Sequence, residues 1–565
     1  GTLSNVAGGV LLLILKPFQV GDYIVLTGTD CEGEVAAMDI FYTKLKTIDN
    51  RVIVIPNGTL SNSNLINNTK QERRLIDIEV GISYDADIKE VKRILTDIAK
   101  NEKRILDQDG VKIFVSSLAD SSVMMGIRCW VSTSDYVATK WALNEEIKIR
   151  FDEEGIEIPY QKLADCLIKT AVFNKDKTEV NWIGVTLIGN EDDCSWDIRP
   201  LGTYLYEGMS GLAIFFNALY AVDPKQEYLI ICNAIEKELF TYTDEMCERN
   251  EGIENESSGA FGGEASIMYT YEVLYKITNK EKYLDYAKKH YKILKKAITR
   301  DNSFDLVYGN AGAVITLINM YQLTGNKEYI ASAEIAGDII VNAQEKEGSI
   351  KGGWNGDGRT SPLAGFSHGA SGIVFALAKL WQGTQKEEYL LSLLDGIKFE
   401  NSLFVKEKGN WKDERVYAGE KASDGGSFTV AWCHGAAGIL LSRSKVNVIL
   451  NGRYSDLIEN DIKVAVNTIL REGILGNNCL CHGNLGNTEI LFEYLKDHSD
   501  KKIEKYYVDI RDIIAENVCN GVFDCDNAYL YGYKLQGFMT GLCGMGYSLL
   551  RDIKEDLPCV IALEV

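Results

Sequence analysis

The chain has 565 residues, enough for two or three domains, and its 46% hydrophobic and 25% charged residues are ordinary for globular protein. A net charge of −21 means that the surface as a whole repels the nucleic-acid backbone, so we expect no nucleic-acid partner. The 13 cysteines lack regular pairing spacing, which favours a reducing compartment with thiols kept for packing or for metal.

The first 72 residues are predicted to be a helix followed by short strands. GTLSNVAGGVLLLIL is rich in small and apolar residues and predicts a helix that ends near Pro17. Its apolar run, Val10 to Leu15, is far shorter than the roughly 20 residues that cross a bilayer. Strands are predicted over 22–26, 34–40, 43–48 and 52–55, with a turn at Pro56-Asn57-Gly58. We therefore expect a helix in residues 1–20 and a β-domain in residues 21–72.

Residues 73–162 alternate strand and helix patterns. Strands are predicted over 75–80, 111–115 and 123–131, and helices over 88–98 and 136–151. This order predicts an α+β domain.

Residues 1–162 resemble the cytoplasmic part of small-conductance mechanosensitive (MscS-type) channels. LSNVAGGVLL, KPFQVGDYI, VIVIPNG, YDADIKEVKRIL and FDEEGIEIPY stand in that family's order and spacing. The resemblance implies a pore-proximal helix, a β-domain, an α/β domain and assembly as a homo-heptamer. It places the family's membrane helices upstream of Gly1. We therefore expect a location at the cytoplasmic face, membrane association only where those helices are present, and no channel from this chain alone.

The stretch ADCLIKTAVFNKDKTE, residues 164–179, connects this part to the rest of the chain. It contains no Gly, Pro or Ser and predicts an amphipathic helix rather than a flexible linker. Fused domains are usually separated by an exposed spacer. Two interpretations stay open: a gene fusion that tethers an enzyme to a membrane vestibule, and an artificial joining of two fragments.

Seven glycine signatures organise residues 163–565. They are LYEGMSG, AFGGEAS, LVYGNAG, FSHGASG, WCHGAAG, LCHGNLG and FMTGLCG, beginning at Leu205, Ala260, Leu306, Phe366, Trp432, Leu480 and Phe538. Each precedes an apolar run and then a charged stretch, which predicts two helices per repeat with the glycines at the start of the inner helix. Because one site must draw residues from distant copies, we expect a closed all-α ring rather than an open solenoid.

The histidines indicate a metal site. Three of the chain's five stand in register, each just before a glycine: His368, His434 and His482. Cys433 and the Cys481-His482 pair offer two thiolates and one imidazole, a set typical of zinc with an open fourth position. Cys479 in place of Cys481, and His434 in place of Cys433, stay open as ligands. Packing of buried cysteines is the non-functional alternative.

Residues 163–565 resemble the lanthionine synthetase cyclase family, and in particular the cyclase domain of the bifunctional LanM enzymes. The resemblance rests on motifs that include PLGTYLYEGMSGLAIF, FDLVYGNAG, PLAGFSHGASGI, AWCHGAAGI, CHGNLGN and PCVIALE. It implies an (α/α)7 toroid. It also implies a Zn²⁺ ion bound by Cys433, Cys481 and His482, with His368 and Asp305 as catalytic residues.

That family joins a peptide cysteine to a dehydroalanine or dehydrobutyrine and so forms a thioether ring. The resemblance therefore implies a zinc-dependent lanthionine cyclase of lanthipeptide maturation, acting on a dehydrated precursor peptide. A histidine at position 368 suits proton donation to the enolate near neutral pH. Asp305 would hold an imidazole or accept the thiol proton, and capping of a helix N-terminus is its structural alternative.

Two features depart from the family pattern. Stand-alone cyclases often place an arginine shortly before the Trp-Cys pair, whereas SFTVAWC has Thr429 and no arginine. Bifunctional enzymes carry a dehydratase ahead of the cyclase, whereas this chain carries a channel-like part, so a separate dehydratase is implied. Two other functions stay open: a channel-associated binding module without turnover, and an enzyme acting on glutathione or another small thiol.

Overall fold

A computed structural model describes residues 2–27, 31–48, 50–82, 86–106, 110–119, 122–153, 159–190, 193–249, 257–356, 361–415, 427–525 and 534–565. These ranges fall into two compact units. The first unit is Gly1–Leu118 with Val123–Glu157, and the second is Ile158–Val565 with Ala119–Ser122. Within the described ranges, no helix is long and apolar enough to span a membrane.

The first unit opens with a helix and a five-stranded antiparallel sheet. Its elements are α1 (Thr2–Leu15), β1 (Tyr23–Leu26), β2 (Glu32–Met38), β3 (Tyr42–Lys46), β4 (Val52–Pro56), α2 (Asn57–Leu60) and β5 (Leu65–Asn67). The strand order is β4-β3-β2-β1-β5. Leu12 and Phe18 pack with inward strand residues such as Ile24 and Leu45 in a small core. The turn predicted at Pro56-Asn57-Gly58 is the start of α2.

A three-stranded sheet with two helices completes the first unit. Its elements are β6 (Arg73–Ile82), α3 (Ile88–Asn101), β7 (Lys112–Ala119), β8 (Ser122–Ser132) and α4 (Tyr136–Glu153), with strand order β6-β8-β7. Apolar residues of α3, among them Ile94 and Leu95, pack with Ile76 and Ile127 of the sheet. The β-domain and the α+β domain predicted for the N-terminal part are thus confirmed.

The second unit is mainly helical. It begins with α5 (Pro159–Thr170) and two hairpins, β9 (Val172–Phe173) with β10 (Val180–Asn181) and β11 (Ile183–Asn190) with β12 (Asp193–Pro200). The remaining elements are α6 (Met209–Val222), α7 (Gln226–Glu248), α8 (Glu264–Thr278), α9 (Glu281–Ile298), α10 (Asn310–Thr324), α11 (Lys327–Ala343), α12 (Ala370–Thr384), α13 (Glu387–Ser402), β13 (Phe404–Val405), β14 (Asn410–Trp411), α14 (Ala436–Ile449), α15 (Ser455–Glu472), α16 (Asn484–Leu495), α17 (Lys501–Cys519) and α18 (Leu542–Arg551).

The even-numbered helices from α6 to α18 form the inner layer of a closed ring. Each follows one glycine signature and contacts the next inner helix, and α18 contacts α6 in turn. The odd-numbered helices from α5 to α17 form the outer layer. Apolar residues from both layers merge into one continuous core. The predicted (α/α)7 toroid is therefore confirmed, including its closure.

The seventh outer helix is α5, which precedes the first signature. It packs against α17 and α18, and it buries Tyr160, Leu163 and Leu167. The Leu167 carbonyl accepts a hydrogen bond from Trp182 Nε1 at 2.7 Å. The helix predicted over 164–179 is correct only as far as Thr170, because β9 and β10 follow it. The stretch between the two resembling parts is thus an integral element of the toroid, which explains why it lacks the composition of a linker.

A ring of seven backbone hydrogen bonds joins the signature loops around the toroid axis. The participating residues stand two positions before the glycine that caps each inner helix, and we call them the ring residues: Tyr206, Phe261, Val307, Ser367, Cys433, Cys481 and Met539. Six of the seven donate their N–H to the carbonyl of the next ring residue. At the remaining step Leu306, the neighbour of Val307, donates to Ser367. All seven N···O distances lie between 2.8 and 3.3 Å, and the Met539 N–H closes the circle on Tyr206.

We expect removal of α5 to destabilise the toroid even though all seven signatures remain. A chain starting at Ala171 should unfold at lower denaturant concentration than one starting at Pro159. The shortened chain loses the burial of leucines such as Leu163 and Leu167, which stabilises the longer chain by about 1.5–3 kcal/mol each. Chemical denaturation followed by circular dichroism compares the two shortened chains, and equal midpoints would show that the toroid is complete without α5.

Candidate active site and metal centre

The glycine in front of each inner helix determines how the ring residues are presented. Gly435 precedes α14 with φ at +80°, and an added Cβ would lie 1.7 Å from the carbonyl oxygen of Thr429. Only glycine tolerates both the conformation and the close approach. The loop can therefore double back at this point, which leaves Cys433 on the ring and His434 directly after it.

Two neighbouring ring residues and one histidine form a candidate metal centre. Among the residues that the structure describes, Cys433, Cys481 and His482 each place a ligand atom within 4.8 Å of the other two. Both cysteines are buried, and His482 is exposed. Two sulfurs and one imidazole nitrogen are the donors that zinc prefers, with a fourth tetrahedral position left for a substrate. The chemistry of this donor set fits the implied Zn²⁺.

The two alternative ligands of the sequence analysis lie outside this group. Cys479 is buried, its sulfur accepts the His482 N–H at 3.4 Å, and burial raises the pKa of its thiol to about 12. His434 is buried and directs Nδ1 to the Ala364 carbonyl at 3.2 Å. Neither side chain belongs to the three-residue cluster.

The two cluster cysteines interact directly. The Cys481 thiol donates to the Cys433 sulfur, which lowers the pKa of Cys433 against the opposing effect of burial. The same hydrogen bond, together with burial, raises the pKa of Cys481. The two sulfurs are therefore close enough to bind one cation together, and zinc binds cysteine in its thiolate form.

His368 and Asp305 form a hydrogen-bonded pair near the candidate metal centre. Asp305 is fully buried, and its Oδ2 lies 2.7 Å from Nδ1 of His368. Asp305 Oδ1 accepts the backbone N–H of Tyr308 at 2.8 Å. The cap of α10 is Gly309, so Asp305 does not cap that helix. Its carboxylate instead fixes Nδ1 of His368 as the hydrogen-bonding nitrogen and leaves Nε2 as the one that can exchange a proton.

Ring contacts connect this pair to the cysteines. Ser367, directly before His368, donates its N–H and its Oγ–H to the Cys433 carbonyl, both at 3.2 Å. The His368 ring stacks on Tyr308 at 5.7 Å between centroids and lies 6.3 Å from His434. All the residues to which the sequence analysis assigned a site role therefore converge on one sector of the ring.

Buried His434 carries a polar atom without a hydrogen-bond partner. Its Nδ1 donates to Ala364, and no hydrogen-bond partner for Nε2 occurs in the described part of the chain. Burial lowers the pKa of His434 to about 3, and the Arg415 guanidinium acts in the same direction. The imidazole is therefore neutral, and its buried Nε2 carries a lone pair.

An arginine that was not predicted from the sequence lowers the pKa values of His434 and His482. Arg415 lies in a loop well upstream of Trp432, and its Nη2 donates to Asp413 Oδ2 at 2.7 Å. Asp413 is buried, and its N–H donates to the Ser427 carbonyl at 2.9 Å. Although the His482 side chain is exposed, surrounding protein atoms keep part of its imidazole from water, which lowers its pKa, and the Arg415 guanidinium lowers it further. Nothing in the sequence places Arg415 here, because it lies outside the repeat register.

Tyr206 is the second residue that sequence reasoning missed. Its hydroxyl donates to the Cys481 sulfur at 2.8 Å. Tyr206 is a ring residue like the two cysteines, so its position in the first signature was the signal that could have identified it. Because tyrosine is not among the usual zinc ligands, its residue type alone does not mark this position as part of a metal site.

A second group of potential ligands is an ion-pair network rather than a metal site. Glu493, Cys559 and Glu564 also lie within 4.8 Å of one another. Lys445 Nζ is 2.8 Å from Glu493 and 2.6 Å from Glu564, and Arg551 lies 2.7 Å from Glu493. These two cations already neutralise the carboxylates. The network instead holds the C-terminal segment against the inner helices.

Three family models match the chain. The model described as Lanthionine synthetase C-like protein covers residues 199–561. Those described as Mechanosensitive ion channel, beta-domain, and Mechanosensitive ion channel MscS, C-terminal, cover residues 1–70 and 76–158. Both resemblances drawn from the sequence are thereby confirmed.

Individual relatives follow the same division. The small-conductance mechanosensitive channel of Edwardsiella ictaluri is 43% identical over 163 residues, which make up 29% of this chain and 56% of the relative. The lacticin 481/lactococcin biosynthesis protein LcnDR2 of Lactococcus lactis is 25% identical over 426 residues, which make up 72% of this chain and 42% of the relative. The chain thus spans about half the length of these curated relatives.

The second unit shares its fold with a solved structure. Nisin cyclase matches with a TM-score of 0.50 and 17% identity, over 64% of this chain and 92% of that one. At this identity the likeness shows the fold alone, a closed ring of paired helices. Since the lanthionine synthetase C-like model matches well over half of the sequence, the chain belongs to the lanthionine synthetase C-like family.

Proposed function

We propose that the second unit is a zinc-dependent lanthionine cyclase, which adds a cysteine thiolate of a dehydrated precursor peptide to dehydroalanine or dehydrobutyrine. The observation that carries the proposal is the clustering of Cys433, Cys481 and His482 beside the His368–Asp305 pair. The names of two similar proteins, a lacticin 481 biosynthesis protein and a nisin cyclase, point to the same chemistry.

The cluster and the pair divide the chemistry between them. Zinc held by Cys433, Cys481 and His482 would supply a Lewis acid that keeps a substrate thiol in its thiolate form. Bond formation between that sulfur and the β-carbon moves the alkene electron pair toward the neighbouring carbonyl, and the α-carbon must then take up a proton. His368 supplies this proton from Nε2, while Asp305 holds Nδ1 and stabilises the charged form of the ring.

A neighbouring side chain suits the binding of a peptide. Tyr308 is 45% exposed and stacks on His368, so its ring offers an apolar surface next to the proton donor. The substrate must arrive already dehydrated, because neither unit resembles a dehydratase, and a separate dehydratase is therefore part of the proposal.

The first unit suggests a second group of partners. Helix α1 leaves Leu11, Ile14 and Leu15 between 51% and 73% exposed, an apolar surface that favours contact with another protein surface. We propose that copies of this chain associate through the first unit as a homo-heptamer, in keeping with its mechanosensitive relatives. The cyclase would then be positioned at the cytoplasmic face of a membrane wherever membrane helices precede this sequence.

We expect one zinc ion per chain, and we expect its loss in Cys481→Ala but not in Cys479→Ala. The first change removes a cluster sulfur, whereas the second removes a buried thiol that lies outside the cluster. Elemental analysis of the purified full chain measures the stoichiometry, and circular dichroism checks that both variants are folded. Full zinc retention in folded Cys481→Ala would contradict the assigned ligand set.

We expect His368→Ala to keep its zinc but to close thioether rings about 10²-fold more slowly, the usual scale for loss of a general acid or base. The substrate is a synthetic peptide with one dehydroalanine and one cysteine. Mass spectrometry after thiol alkylation counts unreacted cysteines, and the spontaneous rate at the same pH is subtracted. The matched control is His498→Ala, which removes an exposed histidine on the outside of the toroid.

One result would contradict the role of His368, and another would contradict the enzymatic function of the toroid. Ring closure at the parental rate in His368→Ala would make His368 a packing residue and His434 the next candidate. Failure of the zinc-loaded parent on several dehydrated peptides would favour a toroid that binds its ligand without turnover.

A further inference from the structure

The Tyr206 hydroxyl bonds a sulfur of the candidate metal centre, although Tyr206 and Cys481 are not adjacent on the ring. On the ring, Met539 lies between Tyr206 and Cys481. The tyrosine side chain passes this neighbour and donates to the Cys481 sulfur at 2.8 Å. Its backbone is fixed on both sides, because its N–H donates to Phe261 and its carbonyl accepts from Met539, each at 2.9 Å. The hydroxyl is therefore held in place by the ring itself.

The proposed reaction creates a selectivity problem that this contact can solve. With a substrate bound, three thiolate sulfurs would face the same electrophilic alkene: that of the substrate, that of Cys433 and that of Cys481. Only the substrate sulfur should add to the β-carbon, since addition of a protein sulfur would alkylate and inactivate the enzyme. Ligand chemistry alone does not distinguish the three.

A hydrogen bond to a thiolate makes it a weaker nucleophile, because the bond stabilises the lone pair that would attack. Hydrogen bonds to charged acceptors are also stronger than those between neutral groups. Cys433 accepts the backbone N–H of His434, and Cys481 accepts the Tyr206 hydroxyl. Both protein sulfurs thus accept a hydrogen bond from a group of the protein. The sulfur of a bound substrate carries no such donor with it.

We propose that Tyr206 is a positioning residue whose hydroxyl protects the sulfur of Cys481 from alkylation by the dehydroamino acid. This inference rests on the proposed function of the cluster. Tyr206 acts only through Cys481 and exchanges no proton with the substrate. Such outer-sphere donors tune the basicity of metal ligands in general.

The test compares Tyr206→Phe with the parent and with Tyr204→Phe in the full, zinc-loaded chain. The first variant removes the hydroxyl and keeps the ring. Tyr204 is the matched control because its hydroxyl, two residues away, bonds Glu264 Oε1 at 2.8 Å. Iodoacetamide is the probe, and peptide mapping by mass spectrometry follows Cys481 and Cys433 separately. Cys481 should be alkylated about tenfold faster in Tyr206→Phe, with Cys433 unchanged and zinc retained.

Cobalt substitution gives a readout that does not depend on reactivity. The thiolate-to-cobalt charge-transfer band should shift in Tyr206→Phe and stay in place in Tyr204→Phe, because only the first change alters electron density on a ligand sulfur. If Tyr206→Phe is poorly folded, 3-fluorotyrosine at position 206 provides a stronger donor of nearly the same shape. It should slow the alkylation of Cys481.

Several outcomes would overturn the inference. Equal Cys481 alkylation in the parent and in Tyr206→Phe, or an unchanged rate with 3-fluorotyrosine, would show that the hydroxyl does not control nucleophilicity. Loss of zinc from folded Tyr206→Phe would make Tyr206 a determinant of metal affinity instead. A parent that binds no zinc contradicts the proposed function itself, so the two failures are distinguishable.

Discussion

The ring of seven backbone hydrogen bonds is the constraint on which the site depends. Each bond contributes only about 0.5–1.5 kcal/mol net, so the ring matters less for total stability than for register. If a signature loop shifted its pairing by one residue, buried N–H and C=O groups would lose their hydrogen-bond partners. Leaving such groups unpaired in a buried core costs free energy. The bonds therefore fix which residue of each signature lies on the ring. Cys433, Cys481 and Tyr206 occupy equivalent positions, and His368 and His482 each follow a ring residue.

The ring is supported by the C-terminal segment. Trp432, directly before Cys433, donates its Nε1–H to the Ile561 carbonyl at 2.9 Å, and Asn319 donates to the Leu563 carbonyl at the same distance. Tyr269 donates to the Glu564 carbonyl at 2.8 Å. The end of the sequence thus packs among three inner helices or their loops. The position of Cys433, a residue of the candidate metal centre, is therefore coupled to residues that lie about 130 positions later in the sequence, by a contact that no local pattern reveals.

Features that repeat along the sequence could be predicted from it. Features that depend on packing between distant residues could not. Seven signatures predicted seven inner helices and a closed ring, and the histidines aligned in three of them indicated one site that draws residues from distant repeats. Helical periodicity in 164–179 indicated an amphipathic helix, but periodicity does not name the partner of an apolar face, so the role of α5 as the seventh outer helix could not be predicted. Arg415 was missed for a related reason. It reaches the site through Asp413 and a loop pairing outside the repeat register.

The ring positions also show how a repeated scaffold acquires a one-sided active site. The backbone hydrogen bonds follow one pattern at six of the seven positions, whereas the side chains divide into two groups. Phe261, Val307 and Met539 are apolar and buried and pack in the core. Tyr206, Ser367, Cys433 and Cys481 carry a hydroxyl or a thiol, and two of these groups bond other ring residues: Tyr206 bonds Cys481, and Ser367 bonds Cys433. Since closure fixes the order of the positions, residue identity alone selects which sector carries the chemistry. The fold can therefore keep its hydrogen-bonded ring unchanged while the reactive sector is defined by four side chains and the histidines that follow them.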